Sequence, residues 1–332
     1  MNSSERAEGG RGMPRFLHKT NDLEGSIMVK TRRARSLAKR ESRNFWLYTS
    51  PWIIGFVAFT AFPFLSSFIL SFMQWDVLSP PKFVGIDNYV QLSQDKTYFW
   101  KDLNNTLYYA LIGVPLTIIL GLAMSVLLSK PIRGINFYRI VFYLPAVFGG
   151  VAVLKLWTYL LSPGTGDGMN PGLINAMLGW FGIQGPGWSQ DPHWAKPAVL
   201  LVGLWGVGGS MMIWLPALAS VPKDLLEAGE IDGANRFQRF WRITVPLITT
   251  AIFFQLTMGI IGSFQIFMEP VIMPGSSKTW TDSLMVVLFD NAFRFYKMGY
   301  ASAIAWVIFI MIMLVTLVNL YFSRRWVYYE SK

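Results

Sequence analysis

Side chains of both charges gather at 227–246, EAGEIDGANRFQRFWRITVP. Three acids, Glu227, Glu230 and Asp232, stand there close to three arginines, Arg236, Arg239 and Arg242. Their chemistry is ion pairing, either with another protein or with lipid headgroups. Catalysis finds little support elsewhere. The chain has no cysteine, so thiolate nucleophiles, disulfides and thiolate metal sites are excluded, and its two histidines, His18 and His193, lie far apart in polar segments. We assign no catalytic residue and no metal ligand. No G-x-x-x-x-G-K-[ST] loop is present to cradle ATP phosphates. GVGGS at 206–210 is glycine-rich but lacks the lysine and lies in an apolar run, where close helix packing is the better account.

The elements around this stretch are apolar. Of 332 residues 53% are hydrophobic and only 14% charged, against roughly 25% in a soluble domain. Mean hydropathy is +0.38. The apolar residues fall in blocks at 46–73, 104–128, 137–161, 197–221, 246–268 and 300–322. At 1.5 Å per residue each block can cross a hydrocarbon core about 30 Å thick. The expected fold class is an all-α polytopic membrane protein with six transmembrane helices. Pro63, Pro115, Pro145 and Pro216 fall inside four blocks and predict kinks around a pathway.

Lysine and arginine orient the blocks. Residues 1–44 hold eleven, the 129–136 loop with Arg139 three, 222–245 four and the C-terminus three, or 21 in all. The loops 74–103, 162–196 and 269–299 hold seven. Both termini are therefore expected in the cytoplasm, and the net charge of +10 is explained by orientation, with no nucleic-acid partner. The expected organisation is a basic cytoplasmic tail at 1–44, a first transmembrane helix at 45–74, and a core of five further helices over 103–322. Within that core lie two cytoplasmic helices at 223–243 and, at 281–297, an amphipathic helix on the outer surface, with Leu284, Val287, Leu288, Ala292 and Phe295 at helical spacing. Met13 and Met28 read either as alternative starts or as internal methionines.

The stretch itself reads as two short helices. KDLLEAGEIDGA follows Pro222 with acids early, where they complement a helix N-terminus. Asp232-Gly233 is a turn signal, and ANRFQRFWRI then resumes helical spacing up to Pro246. Such an element could dock a protein or rest on headgroups; three acids beside anionic lipid favour the first.

The stretch also resembles the EAA loop of ABC importer permeases, E-A-A-x-x-D-G-A-x-x-x-x-x-F-x-x-I-x-x-P. The matching residues are Glu227, Ala228, Gly229 in place of the second alanine, Asp232, Gly233, Ala234, Phe240, Ile243 and Pro246. SPWIIGFVAFTAFPFLSSFILSFMQWDVLSPPKFVGIDNYVQL at 50–92, FYRIVFYLPAVFGG at 137–150 and MGYASAIAWVIFIMI at 298–312 are similar to further segments of the first-permease type in carbohydrate uptake systems. Only the tail, roughly 1–43, is uncovered.

The resemblance implies a type I ABC importer permease fold in the plasma membrane of a prokaryote, embedded in lipid. It implies a second homologous permease, two ABC ATPase subunits that bind ATP and Mg, and an extracytoplasmic solute-binding protein. This chain would bind no cofactor. The 223–243 helices would be coupling helices, with Glu227 near a basic group of the ATPase, Asp232 and Gly233 forming the bend, and Phe237 and Phe240 as apolar anchors. The implied cargo is a sugar or oligosaccharide, with a polyol, sugar phosphate or other solute as the alternative. A membrane-embedded enzyme or a channel is the remote reading, since charge within the blocks is nearly confined to Lys155, with Glu269 at the end of the fifth. That fifth block ends IGSFQIFMEPVIMPGSSKT; Phe264, Gln265 and Glu269 are the candidate substrate-path residues, although Met268, Glu269 and the MPGSS turn depart from the usual pattern.

Overall fold

The computed structural model describes residues 41–164, 171–273 and 280–328. Residues 1–40 of the basic tail and the MPGSS turn beyond Met273 lie outside them, while residues 41–44 are already helical. Two compact units are distinguished, one ending at Ser66 and one beginning at Ser67. The first consists, among described residues, of the leading part of helix α1, Glu41–Leu70. Its side chains, Phe59 among them, are largely exposed, as suits contact with lipid.

In the second unit, the end of α1 leads to a short hairpin, β1 (Met73–Gln74) and β2 (Lys82–Phe83), paired antiparallel. Then follow α2 (Asp87–Gln94), α3 (Phe99–Leu128), α4 (Ile135–Val147), α5 (Val151–Leu160), α6 (Leu173–Trp180), α7 (Pro192–Leu204), α8 (Val207–Ala219), α9 (Lys223–Ile231), α10 (Arg236–Arg239), α11 (Thr249–Phe264), α12 (Met268–Ile272), α13 (Leu284–Phe289) and α14 (Met298–Trp326).

Among the described residues four helical stretches are long and apolar enough to cross a membrane: α1, α3, the α11–α12 stretch Thr249–Ile272 and α14. The other two expected spans are broken. α4 and α5 meet at 100° and α7 and α8 at 47°, so the count reaches six only if each bent pair is one span. The third block is therefore not a continuous helix. Pro145 removes a helical donor near its break, and Gly150 takes φ 85°. At the α7–α8 break, Val207–Ser210 winds as a 3-10 turn against α4, and Gly208 sits where a Cβ would strike the Phe142 carbonyl. Close packing is thus the role of GVGGS.

Prolines 63, 115 and 246 share one solution. Each lies two residues beyond a π-helical turn, at Val57–Ala61, Tyr109–Gly113 and Phe240–Thr244. The wider turn loosens the hydrogen-bond ladder where the proline ring would clash with a preceding carbonyl and supplies no N–H. The helices continue past these prolines.

The 281–297 stretch is helical over Leu284–Phe289 and continues as a π turn to Arg294. Its apolar face does not rest on lipid. Leu284 and Val287 are buried with Leu92, Phe99, Tyr300, Ile304 and Ile308, while Phe295 is exposed. Polar residues of α3 fasten its start: Asn105 Nδ2 donates to the Asp282 carbonyl (2.9 Å), Tyr109 Oη to the Thr281 carbonyl (2.9 Å), and Leu284 N–H to Thr106 Oγ1 (3.0 Å).

Candidate functional site

Two features stand at different heights of the same helix, α11. The first is the projecting element before it. Pro222 opens α9 and Asp224 lies in its first turn, the favourable place for an anion. The helix ends at Asp232, and Gly233 turns the chain with φ 81°, a conformation only glycine adopts cheaply. Asn235 then starts α10 with a capping box: its Oδ1 accepts from Gln238 N–H (2.9 Å), and Gln238 Oε1 accepts from Asn235 N–H (2.9 Å). Through the π turn and Val245–Leu247 the chain passes into α11.

The candidate residues of this element divide by exposure. Glu227, Ala228, Asp232, Gly233 and Phe237 are exposed, while Gly229, Ala234 and Phe240 are half-buried. Phe237, 72% exposed, packs edge-on to Trp241, so it has ring surface left for a partner; Phe240 has less. Ile231 is 87% exposed at the tip beside the turn. Its prominence does not follow from helical spacing; an isoleucine next to Asp-Gly at a helix end is the signal the sequence offers for it. Of the arginines, Arg236 and Arg242 are exposed, whereas Arg239 is turned inward onto α9. At Gly229 a Cβ would lie 2.8 Å from Ile243 Cδ1. Glycine in place of the pattern's second alanine thus fits the isoleucine that the same pattern carries.

The second feature is a cavity of about 620 Å3 between α3, α7 and α11. α11 contributes Gln255, Met258, Gly259, Gly262 and Ser263; α3 contributes Thr117 and Tyr109; α7 contributes Val199, Leu200 and Gly203. Helix α11 stops at Phe264, and Gln265, Ile266 and Phe267 unwind along the cavity before α12. Non-helical backbone at membrane depth is tolerated where it lines a cavity. Gln265 and Glu269 both line this cavity. Phe264 does not: it is 2% exposed and packed within the protein. A one-residue shift around a helix end separates the two, and helical spacing could not say which faced inward. Gln255 and Thr117, one helical face away, were missed for the same reason. Lys155 is exposed on α5 and is not among the lining residues. Among the described residues no group of three or more His, Cys, Asp or Glu could hold a metal.

Residues 98–328 match the family described as binding-protein-dependent transport system inner membrane component. The chain belongs to this family. It is 39% identical over 315 residues to "Probable ABC transporter permease protein YesP" of Bacillus subtilis (strain 168), covering 93% of this chain and 99% of the relative. It is 30% identical over 306 residues to "Lactose transport system permease protein LacF" of Rhizobium radiobacter, covering 90% and 99%. The structure resembles a chain of the "bacterial alginate ABC transporter in complex with alginate pentasaccharide-bound periplasmic protein", with a TM-score of 0.72, 23% identity and coverage of 86% and 96%. That likeness identifies the fold as that of an ABC importer permease. The chain is a multi-pass membrane transport subunit, and ATP hydrolysis belongs to a separate subunit of such systems.

Proposed function

We propose that this permease carries a neutral sugar or oligosaccharide across the plasma membrane of a prokaryote, with both termini in the cytoplasm. A second homologous permease would complete the pathway, two ATPase subunits would bind ATP and Mg below, and a solute-binding protein would deliver cargo from outside. The observation that carries this reading is the continuity of α11. At one end it receives the projecting element with exposed Ile231 and Phe237, and along its length it presents Gln255 and Ser263 to the cavity, with Gln265 lining it just beyond the last turn. A displacement imposed on the element by ATPase closure is transmitted along one helix to the cavity wall. Glu227 supports ionic contact with a basic ATPase groove, and the apolar tip supplies the buried anchor that such interfaces need.

Relatives named for lactose and for arabinooligosaccharides support a sugar cargo. The cavity's amides, hydroxyls and Phe267 suit stacking and hydrogen bonding. Glu269 on its wall disfavours a sugar phosphate, because a like charge facing the cargo costs binding.

The test is Ile231→Asp and Phe237→Asp in the reconstituted complex. Each should weaken ATPase co-purification and sugar uptake by about tenfold or more, the equivalent of losing about 1.4 kcal/mol, at unchanged membrane abundance. Normal ATPase capture and normal uptake in both variants would overturn the docking assignment.

A further inference from the structure

We propose that a polar pocket at the head of α14 is a second binding site, taking one ring of a neutral sugar, separate from the cavity along α11. The pocket has a volume of about 520 Å3 and lies between the β1–β2 hairpin, α2 and the start of α14. It shares no lining residue with the α11 cavity. It also lies at the opposite end of α14 from the projecting element. Lys297 precedes the first turn of that helix, whereas Tyr328, just beyond its last turn, donates its N–H to Thr249 Oγ1 at the head of α11. The 29-residue helix is about 43 Å long.

The lining sets the ligand class. Asp76, Asp87, Lys82 and Lys297 contribute two charges of each sign, so the pocket carries no net charge to select an anion or a cation. Trp75 supplies an aromatic surface and Gln91 an amide with both donors and an acceptor. Charged and amide groups around one indole do not suit an acyl chain. They do suit a ring with an apolar face and hydroxyl edges.

The pocket is built rigidly. Asn88 is buried, and its Nδ2 donates to the Ser71 carbonyl (2.9 Å) and the Met73 carbonyl (3.0 Å), fixing α2 to the hairpin. Gly299 N–H reaches the Trp75 carbonyl at 3.4 Å, holding the head of α14 to the same hairpin. Asp76 Oδ1 is oriented by Ser79, accepting from its N–H (2.8 Å) and its Oγ (2.5 Å). Two residues other than glycine have positive φ among the described residues, Val77 at 71° and Tyr296 at 55°. Each adjoins a lining residue, Asp76 and Lys297 respectively. Such conformations persist where the surroundings over-determine them, and they gather at ligand clamps.

This inference rests on the sugar reading above for the ligand's identity. The test uses the assembled transporter, ATPase subunits included, in lipid nanodiscs, with maltotriose and xylotriose at millimolar concentration and saturation-transfer NMR as the readout. At least one trisaccharide should give a signal that survives Gln265→Leu, falls about fivefold or more in Trp75→Leu, the scale of one lost aromatic contact, and is restored in Trp75→Phe. Asp87→Asn, which leaves the fold's hydrogen bonds to Asn88 in place, should also reduce it. Absence of any Trp75-dependent signal overturns the proposal, even where sugar uptake is normal. A Trp75-dependent signal in a transporter whose cargo proves not to be a sugar upholds the pocket and overturns the cargo. Loss of solute-binding-protein association in Trp75→Leu with the trisaccharide signal unchanged also overturns it, making the pocket a protein contact.

Discussion

Arg239 of α10 reaches back onto α9, where its Nη1 donates to the Leu226 carbonyl at 3.2 Å and pairs with the Glu230 carboxylate. The arginine side chain is 17% exposed and the glutamate 68%. The carbonyl contact therefore matters more than the ion pair. Arg239→Met should cost about 1–2 kcal/mol of local stability by leaving a charge-assisted hydrogen bond unmade. Glu230→Gln should cost less than about 1 kcal/mol, because the acid is solvated. Hydrogen exchange over 223–232 should accelerate clearly in the first and little in the second; equal acceleration would reverse this ranking.

Gly233 bends the element at φ 81° with nothing within 4 Å of an added Cβ. Backbone conformation alone penalises substitution there. Gly233→Val should cost about 1–3 kcal/mol, and Gly233→Asn much less, since asparagine visits the left-handed region. Solute-stimulated ATP hydrolysis and uptake by the reconstituted complex should fall in the valine variant and be largely kept in the asparagine variant. Membrane insertion should be normal in both, because the apolar helices do not depend on the bend.

Asn319 Nδ2 on α14 donates to Thr257 Oγ1 on α11 at 2.8 Å, and that hydroxyl donates to the Phe253 carbonyl at 2.8 Å. Asn319→Leu breaks a polar tie between two apolar helices. The expected loss is about 0.6–2 kcal/mol, the range for hydrogen bonds in membranes. Unfolding in mixed detergent, compared with Thr257→Val and the double variant, measures the coupling; additive losses would show that the pair does not act as one.

Asp191 caps α7, its Oδ1 accepting from His193 N–H at 2.8 Å. That bond, followed in weight by the opposing effect of burial and then by the His193 side chain, holds the carboxyl below its usual value. A depressed carboxyl pKa adds stability that is complete above the unfolded value, about 3.9, and is lost as pH falls through the folded value. A nitroxide at Gln190 should therefore gain mobility only below about pH 4. Asp191→Asn, which keeps an acceptor that does not titrate, should flatten this profile; a transition near neutral pH would implicate another group.

Orientation is testable because the chain has no cysteine. A single cysteine at Ser3 should react only from the cytoplasmic side, and one at the exposed Gln190 only from outside. Labelling of Gln190 from the cytoplasm would invert the topology and remove the projecting element from reach of an ATPase.

Much about this protein was legible in one dimension. Membrane residence follows from the length of the apolar blocks, and the projecting element from Pro222 and Asp232-Gly233, because helix starts and turns depend on local backbone chemistry. Gly233 adopts the positive φ that its turn asks for. Tertiary structure decided what depends on facing. The third block bends by 100° instead of crossing straight, since Pro145 and Gly150 permit a break that only packing can require. Phe264 is buried while its neighbour Gln265 lines the cavity, because the end of α11 unwinds where Ser283 Oγ donates to the Ile266 carbonyl at 2.5 Å. Residues 284–294 turn their apolar face inward because α3 and α14 offer a buried surface there. Contacts between residues far apart in the chain settle such choices, and hydrophobic periodicity, the same for a face toward lipid and a face toward protein, carries no record of them.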